Sequence, residues 1–342
     1  MAPGVTRRVV LLAAAAGLGL LGAGLAVSRL SLPPAATAAA QLLPVLPTRP
    51  PNEVGRILIL EYHRIGSAED RWTRSVENFR ADLHRLYDEG YRPVSLGDLL
   101  DGRVDLPAGL SPVVLTFDDS SPGQFRYLER DGEVQIDPDS AVGILLDFHR
   151  AHPDFAAKAT FYVLPAAAQP HRLFGQPAHE HRKLRHLVEL GFEIGNHTLW
   201  HANLGGADAA TIRHQLASAV RIIQEAVPGY RVRTLALPFG AYPADLAVAT
   251  LGEVNGTTYR HEAILMVAGG AAPSPFAAAF DPLHLPRVQA TSAELDHWLG
   301  HFARRPEDRF VSDGDPAAVT VPQPRARLLR SPLPQGIVLR VH

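Results

Sequence analysis

The chain reads as an α/β protein, a single distorted (β/α) barrel, on three observations. From residue 55 onward, short apolar runs alternate with amphipathic stretches, the pattern of a mostly parallel sheet. The residues with chemistry in them, Tyr62-His63, Asp118-Asp119, His197 and Pro238-Phe239, fall at the C-terminal ends of those runs. In barrels that face carries the reaction, while the opposite face serves stability. Finally, 342 residues at 46% apolar composition supply a sizeable core, and no repeat at a period of roughly 20–50 residues argues for a solenoid.

The elements follow in order. "RILILEYH" (56–63) is a short apolar run suited to a buried strand. In "SVENFRADLHRLYDEG", Phe79, Leu83, Leu86 and Tyr87 recur at helical spacing, and Gly90 is a stop. "SPVVLTFDD" (111–119) is the second strand, residues 121–139 read as a long loop, and "SAVGILLDFHRAHP" is a helix. "KATFYVLP" (158–165) is a strand, and "EHRKLRHLVELG" is a helix with Leu184, Leu187 and Val188 on one face. "FEIGNH" (192–197) ends another strand. Asp208 then caps a helix whose Ile212, Leu216, Val220, Ile223 and Val227 share a face. "TLALPFG" (234–240) is a strand, with weaker signals in "HEAILMVAG", "LHLPRV", a helix at 291–303, and "AVTVP". Beyond about 317 the chain is Pro/Arg-rich and reads as irregular until "GIVLRVH".

Composition removes several function classes. A net charge of −2 offers no basic field for nucleic acid. The absence of cysteine excludes a disulfide scaffold and thiolate metal sites, so a metal here would use His, Asp or Glu. At the N-terminus, Arg7 and Arg8 precede the uncharged run Val9–Val27, and Ala36-Thr37-Ala38 fits an A-x-A cleavage site. Residues 1–30 therefore read as a signal peptide or, uncleaved, a membrane anchor through residues 9–27, with "TRRVVLL" loosely similar to a twin-arginine signal. Residues 31–54 read as a Pro/Ala-rich linker, 55–316 as the barrel and 317–342 as a Pro/Arg-rich tail. The expected location is extracytoplasmic, secreted or anchored.

Two motifs carry chemistry. "LTFDDS" (115–120) sets adjacent carboxylates at a strand end, where alternation sends neighbouring side chains apart. "NHTLWH" places His197 and His201 four apart, on one face if the chain turns helical. Two imidazoles and one carboxylate form a facial set that leaves positions open on a divalent ion. A second pair at that spacing, His297 and His301, sits opposite the apolar face of its helix and reads as solvated. A glycosidase needs two carboxyls facing each other about 5–9.5 Å apart, which neighbours on one strand do not offer. A serine hydrolase through Ser120 lacks the G-x-S-x-G elbow.

"TFDD", "HTLWH" and "LPFG", in that order after an early "YH", resemble the motifs of the polysaccharide deacetylases, the NodB-like carbohydrate esterases, across roughly residues 55–300. The resemblance implies a distorted (β/α) barrel and a role for each motif. Asp118 would be the general base. Asp119, His197 and His201 would hold one divalent metal, zinc first, with cobalt or nickel as alternatives. The backbone N–H near Phe239 would help to hold the oxyanion.

The sequence departs from the family in three places. Ser120 stands where Gly is usual, and Ala236 stands where an Arg usually orients the base. Arg287, in an "LPR" element found with the early "YH", is the candidate replacement. The family's terminal His is displaced by one residue in "IVLRVH", which leaves His63, His284 and His342 as general-acid candidates, His63 having the best position. Tyr62 and Trp200 are candidate substrate contacts, and Phe125 and Tyr127 in the long insert either stack on sugar or pack. The implied function is metal-dependent deacetylation of an N-acetylhexosamine polysaccharide. An O-acetyl polysaccharide esterase and a non-catalytic glycan-binding barrel are the alternatives.

Overall fold

The computed structural model describes residues 49–342. The segment read as signal or anchor (1–30) and linker residues 31–48 lie outside the described residues. Among the described residues no helix is long and apolar enough to cross a membrane.

Seven parallel strands close into the expected barrel. They are β1 Arg56–Tyr62, β2 Ser111–Phe117, β3 Thr160–Val163, β4 Glu193–Asn196, β5 Thr234–Ala236, β6 Ala263–Gly269 and β7 Leu285–Gln289. Closure is made at β1. One edge pairs with β2 (Leu58↔Val113, Leu60↔Leu115, Tyr62↔Phe117) and the other with β7 (Leu60↔Val288, Glu61↔Gln289). The five longer helices of the described residues pack outside: α1 Val76–Asp88, α2 Ala141–Ala151, α3 Glu180–Glu189, α4 Ala209–Ala226 and α5 Ser292–Arg304. Their starts follow local chemistry. Ser75, Ser140 and Asp208 accept from the backbone N–H of Asn78, Gly143 and Thr211. Gly90 and Gly191, just past α1 and α3, take the left-handed conformation of a helix stop.

The period-two pleat sorts the core into two layers. Leu58, Leu60 and Tyr62 turn outward and join Phe79 and Leu83 of α1, while Ile57 and Ile59 turn inward with Val114, Tyr162, Leu265 and Leu285. Gly195 on β4 is required by this interior: a Cβ there would lie 2.2 Å from the Tyr162 ring.

Two segments differ from the sequence reading. The stretch 121–139 contains an antiparallel hairpin, Tyr127–Arg130 with Glu133–Ile136. Asp131-Gly132 supplies its turn with φ of 52° and 81°, the positive pair that a two-residue hairpin loop favours. Beyond 317, Ala318–Val321 pairs in parallel with Val338–Val341, and Val319 and Val321 are fully buried in the interior layer. At the other end, Asn52 bonds to Val311, which ties the close of the linker to the barrel.

Candidate active site

The C-terminal ends of β1, β2, β4 and β5 bring Glu61, His63, Asp118, Asp119, His197 and Phe239 to one end of the barrel, and Arg287 of β7 reaches it from within. Asp118 continues the inward face of β2 that carries Val114 and Thr116, and it is 1% exposed. Arg287, fully buried, meets it edge to edge, Nη1 to Oδ1 at 2.8 Å and Nη2 to Oδ2 at 2.7 Å. The guanidinium also donates to Thr116 Oγ1 (3.1 Å), to Met266 O (2.7 Å) and to Glu61 Oε1 (2.8 Å). Burial alone would push the Asp118 carboxyl up, but Arg287, with His197 and His63, holds it below the usual carboxylate range. Arg287 thus reaches Asp118 from β7, a different strand from β5, which carries Ala236.

Asp119 breaks the pleat. Its φ is 74° and that of Ser120 is 42°, backbone that glycine adopts readily and other residues rarely. Ser120 is held there by its own hydroxyl, which donates to His171 O (2.7 Å) and accepts from Leu164 N–H (3.0 Å). The turn carries the Asp119 carboxylate to the histidines, with Oδ1 3.3 Å from Nε2 of both His197 and His201. Oδ1 is buried, yet accepts no hydrogen bond of good geometry. The His197 ring is fixed by its Nδ1 against Ala236 O at 2.8 Å, which in the neutral tautomer leaves the Nε2 lone pair facing Asp119. Burial lowers the His201 pKa to about 4, so its ring is neutral at ordinary pH. A shared buried oxygen and two imidazole lone pairs, all within 4.8 Å of one another, form a donor set that suits a small divalent cation.

The convergence of His197 and His201 is not helical. Thr198 and His201 both take positive φ (67° and 70°). Asn196 Oδ1 accepts from Thr198 N–H, and Thr198 Oγ1 from Ala202 N–H, both at 2.9 Å, so side chains hold the loop that a helix was expected to supply.

Above this floor lies a cleft of about 600 Å³, lined by His63, Trp72, Asp119, His171, His201 and Phe239 among others. A groove of about 270 Å³, lined by Leu164, Ala168 and His171, opens onto the same Asp119 and His201. Two aromatics form the walls. The Trp72 ring stands 4.7 Å from that of His63, and the exposed Phe239 ring 4.5 Å from that of His201.

Several expected contacts fall elsewhere. Tyr62 faces α1, with its hydroxyl bonded to Asp82 Oδ2 at 3.1 Å and its ring 1% exposed; the alternation along β1 turns it away from the cleft. Trp200 is half exposed but stands against His214 of α4 and does not line the cleft. Phe125 and Tyr127 are buried as packing residues. Of the general-acid candidates, His63 lines the cleft, its pKa lowered by burial. His284 is paired with Asp281 and stacked on Tyr242, and His342 bonds to Pro51 O. His301 pairs with Asp308, away from the cleft. Sequence reasoning missed Glu61, Trp72 and His171, and also Gln124, whose amide donates to the backbone carbonyls of both His63 and Asp118. Only Glu61 carried a signal, a charged residue within the apolar run of β1.

Residues 107–255 match the sequence profile of a family described as polysaccharide deacetylase. A chitooligosaccharide deacetylase of Sinorhizobium fredii is 31% identical over 88 residues, which is 26% of this chain and 37% of that protein. The chain thus spans little more than a third of that relative's length. Among solved structures, a Streptococcus pyogenes deacetylase in complex with acetate superposes with a TM-score of 0.51 at 21% identity, covering 68% of this chain and 92% of that one. A polysaccharide deacetylase of Bacillus cereus does so with a TM-score of 0.51 at 18% identity, covering 70% and 67%. At these identities the structural likenesses show a shared fold.

Proposed function

Residues 107–255 belong to the polysaccharide deacetylases, and from that premise we propose that this chain hydrolyses the N-acetyl group of an N-acetylhexosamine polysaccharide of a cell wall or matrix. One observation supports this reading above the others. A buried carboxylate locked by an arginine (Asp118) adjoins a carboxylate whose orphaned oxygen faces two imidazoles (Asp119), at the floor of an open cleft.

Asp119, His197 and His201 are the residues that would hold a divalent ion, zinc being the first candidate. When bound, the ion supplies Lewis-acid polarisation of the acetyl oxygen and lowers the pKa of a neighbouring water. The rest falls to the chain's own groups. Asp118 is ionised, and its bidentate partner fixes the plane of its carboxylate, so it is poised to accept the proton of the attacking water. The Phe239 N–H, on a turn with positive φ, is the proposed donor to the oxyanion. His63, on the same cleft, is the proposed donor to the leaving nitrogen. Trp72 and Phe239 offer apolar faces to the sugar rings on either side. The N-terminal pattern (Arg7, Arg8, Val9–Val27) supports an extracytoplasmic location, secreted or anchored.

The test is acetate release from N-acetylglucosamine polymer, peptidoglycan and acetylated xylan, with and without chelator. Release from the first two, abolished by chelator and by Asp118→Asn, is the expected result. Chelator-insensitive release would remove the metal reading. Release from xylan alone would make the chain an O-acetyl esterase, and no release by metal-loaded protein would favour a glycan-binding barrel.

A further inference from the structure

We propose that Glu61 is a positioning residue of this site: it takes the last N–H of Arg287 and so holds the guanidinium in the plane that Asp118 needs. The inference rests on the role given above to Asp118.

A guanidinium has five N–H donors in a rigid fork, and Arg287 uses each of them: Nε on Met266 O, Nη1 on Thr116 Oγ1 and Asp118 Oδ1, Nη2 on Asp118 Oδ2 and Glu61 Oε1. The Thr116 hydroxyl is itself committed, since it donates to Leu60 O at 2.8 Å and turns a lone pair toward Nη1. Glu61 is the one acceptor on the outer flank of Nη2. It stands on β1, whose neighbours in register are Thr116 on β2 and Gln289 on β7, so its backbone is clamped on both sides. The Tyr162 ring, 5.8 Å from Arg287 Cζ, supports the guanidinium in the barrel interior.

Stability does not account for Glu61. It is 2% exposed, and its Oε2 is buried without any partner. Arg287 and Asp118 already neutralise each other, so Glu61 is not needed to balance the guanidinium. Groups of this kind are often replaceable by uncharged residues at no loss of stability. A costly buried carboxylate in contact with the residue that orients the base is instead what a site retains for geometry.

The test compares Glu61→Leu and Glu61→Gln in the zinc-loaded chain, with an N-acetylglucosamine oligomer as substrate. Gln keeps an acceptor oxygen for Nη2; Leu removes it. For Leu, kcat is expected to fall by roughly tenfold or more while KM and zinc affinity hold, as for a misplaced catalytic group. Gln is expected to recover most of the loss, and its melting temperature should equal or exceed that of the wild type. A Leu variant with wild-type kcat overturns the proposal. So does a Gln variant as slow as Leu, because the charge rather than the position would then be what matters. If Leu fails to fold, Glu61→Met is read in the same way. A second readout needs no turnover: the Arg287 Nε–H and Nη–H protons, followed by ¹⁵N NMR, should exchange slowly in wild type and Gln and rapidly in Leu. Should the wild type release no acetate, the proposed function fails, and the exchange comparison still decides whether Glu61 holds Arg287.

Discussion

Replacing Arg287 by Ala tests the centre of the site. The guanidinium lies 2.7–2.8 Å from oxygens of both Asp118 and Glu61, and none of the three side chains reaches solvent to any useful extent. At an effective dielectric of about 20, unit charges about 4 Å apart interact by about 4 kcal/mol. Removing one partner of such a buried arrangement typically costs about 3–5 kcal/mol. The variant escapes part of that cost by taking up a proton, which fixes the sign of its pH dependence. In the wild type the folded pKa of Asp118 lies below its unfolded value, so its contribution is present above the unfolded pKa and is lost as pH falls. Burial already holds the Glu61 carboxyl up at about 8 in the wild type; in the variant the Asp118 carboxyl also rises above its unfolded value, the folded state binds the extra proton, and stability falls as pH climbs past about 4. The gap between wild type and variant in urea denaturation should therefore be wider at pH 7.5 than at pH 5. Turnover should fall by about 10²–10⁴-fold, the contribution of a positioned general base, with zinc affinity unchanged because Arg287 touches none of Asp119, His197 or His201. Glu61→Gln in the Arg287→Ala background should restore stability, a coupling of about 0.5–3 kcal/mol. A loss below about 1 kcal/mol, equal at both pH values, would refute the reasoning.

Other substitutions separate the remaining parts of the site. Asp119→Ala and His201→Ala should each weaken zinc binding, read by calorimetry, by more than the roughly 10–100-fold typical of outer-shell changes, whereas His297→Ala should leave it unaltered. Trp72→Ala should raise KM for an oligosaccharide about fivefold or more, the order expected for losing an aromatic anchor, with kcat little changed; Trp200→Ala should leave both constants in place. Lys183 is fully buried, with its ammonium 5.7–5.8 Å from the rings of Phe125, Tyr127 and Phe174, and burial pulls its pKa from 10.5 to about 7. Between those values the unfolded chain binds the proton and the folded chain does not, so Lys183 contributes a rise in stability with pH of up to about 1 kcal/mol per unit from pH 7 to 9. Lys183→Met should remove that contribution and make the slope less positive than in the wild type, and parallel slopes for the two proteins would exclude it.

What could be read in the sequence was local. The apolar runs of β2 and β4 stop at polar residues, so "TFDD" and "NHTLWH" were legible as consecutive letters. Glu61 and Thr116 become partners of Arg287 only through the registers of β1 with β2 and β7, which no short window contains. Trp72 and His171 stand on loops whose return to the cleft depends on tertiary packing. Tyr62 was misplaced although the rule that places it is local: on β1 it shares the parity of Leu58 and Leu60, which face the helices. The hairpin within 121–139 was hidden for another reason. Its turn signal, Asp131-Gly132, was present, but Glu133–Ile136 shows only two half-buried apolar residues between charged or polar neighbours.

The adjacency of Asp118 and Asp119 has a different cause from the one alternation suggests. Along β2 the odd positions Val113, Leu115 and Phe117 face the helices, so an extended residue 119 would join them in the outer layer. A carboxylate buried in that apolar layer without a partner would cost several kcal/mol. The left-handed backbone at 119 and 120 prevents this by ending the pleat one residue after Asp118. The strand thus delivers Asp118 by its regular geometry, and the irregular turn delivers Asp119 to the two histidines. Left-handed non-glycine residues cost of order 1–3 kcal/mol each and persist where the surroundings over-determine them. Here the two hydrogen bonds of the Ser120 hydroxyl do so, which explains how this chain dispenses with the small residue the turn would otherwise favour. The same conformation recurs at Thr198, His201 and Phe239, so the chain leaves its pleat after β2, β4 and β5 at the point where a group must change direction, whereas Asp118 and His63 follow the regular course of β2 and β1.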